Sequence, residues 1–443
     1  MDNDSNTHGA ESTDGRTGVD RRRFLAAGTG AVATSVAGCL DLSGEAGAGG
    51  EVTIGVLAPL GQDQGVGAEN AAEMAVDEIN DDGGIDGADV ELVVVDTLSD
   101  PGETQDETER LIEVENADLL VGTFSSEATQ GALETIGEYG IPFIITGSAA
   151  PSLVTDFVAD DYEQYKSVFR SGPINSNLQA EAMGDYAEYL EERHGWEEFA
   201  FLADNAAWTE PFAENLPDIL EDRGYEVVHE DRLQPGLDDW SSVIGDLQNA
   251  APDAVFRFFA HNIATELLGA WHQQELDFGI EGIHVASMTP DFFEVMEGAA
   301  SFETTSQSGA AGATAITEHT QDFVERYQEE YDEPALPMYM GFNTYDAIHV
   351  YHEAVERAGT TNWESDLDDI VDAMLETEYT GTAGTVEFYG PDSDYPHDLQ
   401  ETRDEDDVIS NFPVTQWTPE GEIECVYPEA HRTADHQAPP WMG

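Results

Sequence analysis

Apolar residues along the chain fall into two kinds of run, one continuous and one with helical spacing. The continuous runs, such as VTIGVLAPL from Val52 and VELVVVD from Val90, have the length and β-branched content of buried strands. Between them, GQDQGVGA is predicted to be a flexible loop, and small apolar residues from Ala68 to Ile79 then recur at steps of three and four. Buried strands that alternate with helices are typical of covered parallel sheets, so the pattern predicts an α/β fold.

A strand, a helix and a second strand between Leu119 and Leu153 form the βαβ unit around which the first lobe is predicted to be organised. The strands are LLV and FIIT, and Ser125 or Ser126 is predicted to cap the helix. Parallel strands end at one edge of their sheet, which is where open α/β sheets bind ligands. We therefore predict that one wall of a small-molecule cleft is formed by Phe124, Ser125, Ser126, Gly147, Ser148 and Ala149.

A second series of the same kind begins after VFRSGP, which is predicted to be a connecting strand. Its strands are EFAFLA, YEVVHE, DAVFRFF and IHVAS, with helices between them. The prediction is two doubly wound Rossmann-like lobes joined by hinge crossings, with residues 51–168 and 310–378 in lobe I and residues 169–309 and 379–443 in lobe II. A hinge between two lobes indicates closure around a ligand.

Residues that end the second-lobe strands complete the predicted cleft. Trp208 follows the first of these strands, where an aromatic ring can close over an apolar ligand. The ends of the third and fourth strands add Phe259, His261, Thr289 and Asp291 as ligand-binding candidates, and Asp291 is the carboxylate that an ammonium group would need. Two alternatives stay open, namely core packing for the tryptophan and plain helix capping for the two serines of the first lobe.

The charge balance of the chain is extreme. Its 443 residues include 93 acidic and 15 basic ones, which gives a formal net charge of -78. Such a chain repels itself unless salt near 1 M shortens the screening distance to about 3 Å, so the composition predicts a halophilic protein. An acidic surface for a cationic partner is the alternative, although the acidic residues are spread over every segment. Nucleic acid is excluded as a partner because phosphate binding requires positive charge.

Residues 1–38 have the pattern of an export signal. RRRFL at positions 21–25 precedes a short apolar run that ends in VAGC at Cys39. The arginines are similar to a twin-arginine signal, and VAGC is similar to a lipobox, in which Cys39 becomes the lipid-modified first residue. The glycine-rich residues 39–50 would then tether the protein to the extracellular face of the cell membrane.

The sequence contains no recognised catalytic or cofactor-binding motif. The glycines after the first strand lack dinucleotide-binding spacing, and neither GxSxG nor HExxH occurs. His349 and His352, three residues apart on a predicted helix, could share a metal, but solvated histidines are the commoner arrangement. We therefore predict no metal, no cofactor and a binding protein rather than an enzyme.

The order of these segments resembles the type I solute-binding proteins of ABC transporters, and within them the leucine/isoleucine/valine and amide-binding group. The segments that carry the resemblance are a lipoprotein signal of the haloarchaeal type, VTIGVLAPL, the VGTFSS and ITGSAAPSL pair, ADNAAW, YDAIHVYHEAVERAG and TGTAGTVEF. The resemblance covers essentially all of residues 51–427. It implies a lipid-anchored receptor that closes on a small solute and delivers it to an ABC permease in the membrane, with a ligand sensor as the alternative.

The resemblance also implies roles for individual residues. In the family, two hydroxyl-bearing loops hold the ligand's carboxylate. The matching residues here are Ser125, Ser126, Ser148 and Ala149. An aromatic residue of the second lobe caps the ligand, and Trp208 occupies this place, where tyrosine is usual. The family's ammonium-binding glutamate falls near residues 289–291, where this chain has no glutamate. Branched-chain or related amino acids are the expected ligands, with amides, urea-like compounds and other small carboxylates as the alternative.

Overall fold

Parallel strands form the two main sheets of the computed structural model, which describes residues 51–404 and 407–442. The predicted signal, Cys39 and the tether therefore lie outside the described residues. The strands are β1 Val52–Ala58, β2 Val90–Asp96, β3 Leu119–Gly122, β4 Phe143–Ile145, β5 Val168–Arg170, β6 Glu198–Asp204, β7 Glu226–Leu233, β8 Ala254–Phe259, β9 Gly279–His284, β10 Thr304–Ser306, β11 Tyr379–Thr380, β12 Thr385–Val386, β13 Val414–Trp417 and β14 Ile423–Tyr427.

Helices connect and cover these strands. They are α1 Asp63–Asp81, α2 Pro101–Glu113, α3 Ser126–Tyr139, α4 Ser152–Thr155, α5 Tyr162–Tyr165, α6 Ser176–His194, α7 Glu210–Asp222, α8 Ser241–Ala250, α9 Thr265–Gln274, α10 Phe292–Val295, α11 Thr320–Glu330, α12 Met338–Ala358 and α13 Trp363–Leu375. None of the helices in the described ranges combines the length and the apolarity that a membrane span requires.

The first sheet has the strand order β2-β1-β3-β4-β5, and every pair in it is parallel. All seven residues of β1 are buried, as a continuous apolar run requires when helices cover both faces of a sheet. Helix α1 packs against α12, and α2 packs against α3. The segment predicted to connect the lobes provides β5, which extends this sheet by pairing with β4.

The second sheet has the order β7-β6-β8-β9 and is also parallel. Alternate residues of β8 enter two different cores, because successive side chains of a strand point to opposite faces. Phe258 stacks on Phe212 of α7 with ring centroids 3.8 Å apart, whereas Phe259 joins the cluster that contains Trp271 of α9. The predicted α/β class, with a parallel sheet in each lobe, is therefore confirmed.

A third, antiparallel sheet has the order β10-β13-β14 and joins segments that are far apart in the sequence. Thr304 to Ser306 pair with Val414 to Gln416, so the residues before β13 are brought beside the end of β10. The predicted lobe boundaries, which divide these late segments between the lobes, stay a prediction.

One predicted loop is helical instead. Helix α1 begins at Asp63, so most of GQDQGVGA lies in its first turns. A Cβ on Gly65 would lie 2.1 Å from the carbonyl oxygen of Pro59, and a Cβ on Gly67 would lie 2.5 Å from that of Pro337. These glycines permit close approach of backbones rather than flexibility, which the local sequence pattern does not reveal.

Candidate functional site

A cavity lies between the carboxyl ends of the two parallel sheets. It contains about 670 Å³ of empty space, including its opening to solvent. Both lobes contribute to its lining, which consists of Phe124, Ser125, Ser126, Gly147, Ser148, Ala149, Pro173, Ile174, Gln179, Trp208, Ala260, His261, Ile283, Val285, Met288, Ser306, Gln307, Ser308, Tyr339, Asn411, Phe412 and Pro413.

The strand order explains the position of this cavity. In each sheet the first strand of the series lies between the second and the third, as β1 does between β2 and β3 and β6 does between β7 and β8. The connections on either side of such a strand run over opposite faces and leave a crevice at the carboxyl ends. Residues 124–126 follow β3, and Ala260 and His261 follow β8, so the two crevices contribute to one cavity.

Three serines form a hydroxyl wall on the first-lobe side: Ser125, Ser126 and Ser148. Ser125 is the N-cap of α3, where its Oγ accepts a backbone N–H. Ser126 Oγ accepts from the N–H of Ala150 at 3.3 Å, and Ser148 Oγ shares a 2.7 Å hydrogen bond with Thr129 Oγ1. Ser125 and Ser126 accept these hydrogen bonds and keep their own hydrogens available. Their hydroxyls can therefore donate to a carboxylate or carbonyl oxygen beside the first turn of α3.

A buried arginine fixes the loop behind the hydroxyl wall. Arg170, at the end of β5, is fully buried and donates to the carbonyl oxygens of Ala149 at 3.2 Å and Ala150 at 2.7 Å. Its guanidinium lies 3.5 Å from the equally buried carboxylate of Asp398. The loop after β4 is thus held by charge-assisted hydrogen bonds that exclude solvent.

Four side chains form an apolar wall on the second-lobe side: Trp208, Ile283, Val285 and Met288. Trp208 lies in the 3₁₀ turn Ala207–Thr209 after β6 and is only 8% exposed. Its ring packs edge-on against Phe212 with centroids 5.9 Å apart, and its Nε1–H has no hydrogen-bond partner. The tryptophan therefore both packs on the core and lines the cavity, and its role over a ligand stays a prediction.

A carboxylate at the end of β6 positions the other second-lobe loop. Asp204 accepts hydrogen bonds from the backbone N–H groups of Ala260 at 2.7 Å and His261 at 2.6 Å, and from the side chain of Asn262. Its oxygens are occupied by these donors. This aspartate therefore holds His261 at the cavity and is not itself one of the lining residues.

Two contacts join the lobes beside the cavity. The N–H of Ala207 donates to Glu127 Oε1 of α3 at 3.0 Å. The rings of Phe124 and His261 meet edge to face, with centroids 6.2 Å apart. Both contacts require the two walls to be close together, so this is a closed arrangement of the lobes.

Several lining residues were not predicted, because they come from segments without a strand-end pattern. Gln179 lies on α6, and Tyr339 of α12 donates to the carbonyl oxygen of Gly147 at 2.9 Å. Residues 306–308 and 411–413 are brought together by the β10–β13 pairing. The sequence predicted no lining role for these segments.

Three residues predicted to bind the ligand lie outside the lining. Phe259 faces the α8–α9 core, with its ring centroid 5.6 Å from that of Trp240. Successive side chains of a strand point to opposite faces of the sheet, and this one points away from the cavity. Thr289 and Asp291 follow a 3₁₀ turn that leads away from β9. Burial raises the pKa of Asp63, and the nearby charge of Asp291 raises it further. Asp291, the carboxylate predicted for an ammonium group, is exposed and is not one of the lining residues.

The described residues contain no group of three His, Cys, Asp or Glu side chains placed to hold a metal. His349 faces Glu78 at 3.7 Å and His352 faces Glu356 at 3.5 Å, so the two rings point to separate carboxylates. Burial lowers the pKa of His349 to about 4.

Cys425 is a buried free cysteine in β14, and burial raises the pKa of its thiol to about 12, which disfavours the reactive thiolate.

Comparison with known proteins places the chain among binding proteins. Residues 51–403 match the family model described as periplasmic binding protein. The leucine-, isoleucine-, valine-, threonine-, and alanine-binding protein of Pseudomonas aeruginosa is 25% identical over 351 residues, which cover 76% of this chain and 84% of that protein. The chemotactic signal transduction system substrate-binding protein BasB of Halobacterium salinarum is 27% identical over 364 residues, which cover 77% of this chain and 84% of that protein.

A solved structure has the same fold. The branched-chain amino acid transporter substrate binding protein LivJ of Streptococcus pneumoniae, in complex with isoleucine, superposes with a TM-score of 0.68 and is 20% identical. The match covers 86% of this chain and 100% of that one. At this level of identity the similarity concerns the fold, and it confirms the predicted two-lobed arrangement.

Proposed function

The chain belongs to the periplasmic binding protein family, as its sequence predicted, and we propose that it closes over a small organic solute and delivers it to an ABC permease. The solute in this proposal has an apolar body and a carboxylate or carbonyl group. The body would contact the apolar wall, and the oxygens would accept from the hydroxyl wall. The protein would thus be the extracellular solute-binding component of an ABC transporter.

The observation that supports this proposal most directly is the pairing of two chemically different walls in one cavity. Ser125 and Ser126 reach it from the first lobe, and Trp208 reaches it from the second. The hydrogen bond between Glu127 and the N–H of Ala207 holds the lobes together beside it. A ligand that touches both walls would favour this closed arrangement over an open one, which is how a two-lobed receptor couples binding to closure.

The solute class is argued from relatives and from the lining together. The Pseudomonas protein is named for leucine, isoleucine, valine, threonine and alanine, and branched-chain amino acids are therefore the first compounds to test. Amides, urea-like compounds and other small carboxylates are the alternative. No catalytic step is proposed, and the site would bind its solute without changing it.

We also propose that the protein is anchored outside the cell by a lipid on Cys39, with residues 39–50 as the tether. The support is the RRRFL and VAGC pattern of the leader and the net charge of -78, which suits a protein exposed to molar salt. Replacement of Cys39 by serine should release the protein from the membrane fraction. A variant that stays membrane-bound would contradict the anchor.

A sensory role is the second candidate function, because BasB of Halobacterium salinarum is named as a chemotactic substrate-binding protein. The same closed arrangement could report ligand occupancy to a signalling partner. Cells that lack the gene distinguish the two functions. Loss of solute uptake alone would support transport, and loss of taxis alone would support sensing.

The proposed function is tested by ligand-dependent stability in molar KCl. A ligand that binds only the folded protein adds about 2.7 kcal/mol of stability at a concentration of 100 times its Kd. We expect one compound in a panel of amino acids, amides, ureas and small carboxylates to raise the unfolding temperature by several degrees. If no compound in the panel changes that temperature, this class of solute is wrong.

A further inference from the structure

The charged groups that act on the cavity lie outside its lining. Of the 443 residues, 93 are acidic, yet none of the described residues that line the cavity is Asp, Glu, Lys or Arg. The lobes nevertheless meet through a charged group, because the Glu127 carboxylate of the first lobe accepts from the N–H of Ala207 in the second. Whatever contacts the far side of the peptide group between Ala206 and Ala207 therefore bears on closure.

A guanidinium contacts that far side. The Nη2 of Arg232, near the end of β7, donates to the carbonyl oxygen of Ala206 at 3.1 Å and to Thr209 Oγ1 at 3.3 Å. The carbonyl of Ala206 and the N–H of Ala207 belong to one trans peptide group and point in opposite directions. Arg232 and Glu127 thus face opposite ends of the same peptide dipole, and each has the charge that its end of the dipole attracts.

Arg232 differs from most basic residues of the protein in its partners. In the part of the chain that the structure describes, nearly all other basic side chains lie within ion-pair distance of a carboxylate, and Arg357 is the other exception. Arg357 is in the last turn of α12, where a positive charge is favourable, and donates to the carbonyl oxygen of Ala373 at 2.5 Å. Arg232 has no helix end to stabilise, and its acceptors are the two oxygens of the turn after β6.

From this arrangement we infer that Arg232 is a positioning residue that strengthens closure of the lobes through the peptide group, without contacting the solute or Glu127. The inference rests on the proposed function and concerns the regulation of its site. Hydrogen bonds in a chain polarise one another, so the guanidinium at the carbonyl oxygen makes the N–H of Ala207 a stronger donor. Both charged side chains are partly buried, where salt screens them less than at the surface. Opening separates Glu127 from this chain, so the strengthening exists only in the closed arrangement.

Closure can be measured with or without a ligand from the distance between two spin labels. The labels are attached to cysteines introduced as Asp106→Cys on α2 and Asp218→Cys on α7, two exposed positions on different lobes. A Cys39→Ser background removes the other reactive thiol, since Cys425 is buried. Distances are recorded in molar KCl, first without ligand and then with millimolar leucine as the probe.

A cycle of Arg232→Met, Glu127→Ala and the double variant tests the inference. Methionine keeps an apolar stem and removes the guanidinium, so lost packing is not the cause of a change. We expect Arg232→Met to lower the ratio of closed to open molecules about twofold. In the Glu127→Ala background the same change should have no further effect, because Arg232 acts through that hydrogen bond. Arg232→Lys, which keeps a charged donor, should restore most of the ratio.

Arg357→Met is the matched control, and it should leave the ratio unchanged. Circular dichroism establishes that each variant is folded, and Arg232→Gln replaces Arg232→Met if the latter is not. An unchanged ratio in Arg232→Met, or an equal loss with and without Glu127, overturns the inference and leaves the proposed function standing. If neither leucine nor the wider panel shifts the distances, the proposed function fails, and the ligand-free ratios still decide the role of Arg232. A native protein without a closed population under any condition overturns both.

Discussion

The two lobes share a strand order but present different chemistry at the ends of their strands. β2-β1-β3-β4 in the first lobe corresponds to β7-β6-β8-β9 in the second. The first lobe places hydroxyls at its strand ends, backed by the buried guanidinium of Arg170. The second places Trp208 and aliphatic side chains there, and the carboxylate of Asp204 holds one of its loops. Topology therefore determines where the cavity lies, and the loops determine what each side can recognise.

The two walls should respond differently to the ligand. In the proposed function, the hydroxyl wall would meet the polar group that all candidate solutes share, so its changes should affect them equally. The apolar wall would meet the part that varies, so its changes should scale with the size of that part. This division of roles can be tested with single variants of each wall.

The largest expected effect is on stability, from Arg170→Leu. Removal of the guanidinium leaves Asp398 as an unpaired buried charge, and we expect the free energy of unfolding to fall by about 3–5 kcal/mol. Chemical denaturation in molar KCl measures this loss. The carbonyl groups of Ala149 and Ala150 also lose their donors, so ligand affinity should fall as well.

The double variant Arg170→Leu/Asp398→Leu separates these two effects. Because both buried charges are gone, most of the lost stability should return. Affinity should stay low, since the loop behind the hydroxyl wall is still not fixed. A double variant that binds as tightly as the native protein would show that Arg170 does not position this wall.

The next effect is expected from Trp208→Ala, which removes the largest side chain of the apolar wall. We expect Kd to rise by more than about tenfold, which corresponds to about 1.4 kcal/mol, and the increase should be greater for ligands with larger bodies. Calorimetry with a series of increasing body size measures it. An unchanged Kd would assign the ring to its packing against Phe212.

Trp363→Ala is the matched control for this variant. Trp363 begins α13, and its Nε1 donates to the carbonyl oxygen of Ala117 at 3.3 Å, just before β3 and therefore at the opposite end of the sheet from the cavity. Its removal should reduce stability without changing affinity.

A smaller effect is expected from Ser125→Ala. The loss of one donated hydrogen bond should raise Kd by about fivefold, and to the same extent for every body size. The loss of the N-cap of α3 should also reduce stability by about 1 kcal/mol.

Asp100→Ala is the matched control. It removes the N-cap of α2, which accepts from the N–H of Glu103 at 3.0 Å, and should reduce stability by a similar amount with no change in Kd. Size-dependent losses in Ser125→Ala would contradict the division between the walls.

The smallest effect is expected from Glu127→Ala, which removes the hydrogen bond between the lobes beside the cavity. We expect the ligand to dissociate about two to three times faster, because the closed arrangement loses one contact that holds the lobes together. Stopped-flow fluorescence measures the rate. Glu134→Ala, an exposed change on the same helix, should leave it unchanged. Equal rates in both variants would exclude this contact from closure.

Strand-end reasoning on the sequence located much of the cavity. Residues 124–126 and 147–149, with Trp208 and His261, were chosen because each follows a buried apolar strand, and the structure brings them into one lining. The rule works because parallel strands place their carboxyl ends at one edge. The rule was wrong for Phe259. This residue ends β8, and its ring points to the sheet face that packs on α8 and α9 instead of toward the cavity.

Other parts of the site could not be read from local patterns. Residues 411–413 reach the cavity only because β13 pairs with β10, more than a hundred positions earlier in the chain. Gly67 of α1 looked like part of a loop because its packing partner, Pro337, lies far away in the sequence. In each case a tertiary contact determined the outcome, and periodicity carries no information about such contacts.

The uncharged lining also bears on how the protein would behave as a brine is diluted. Salt screens charges that face solvent, and the net charge of -78 predicts that the chain needs that screening to stay compact. Neutral hydrogen bonds and apolar contacts within the cavity have little electrostatic energy for ions to screen. Dilution would therefore unfold the protein before it lowered the ligand affinity of the molecules that stay folded. Solute binding would then be lost through unfolding and not through a gradual rise in Kd.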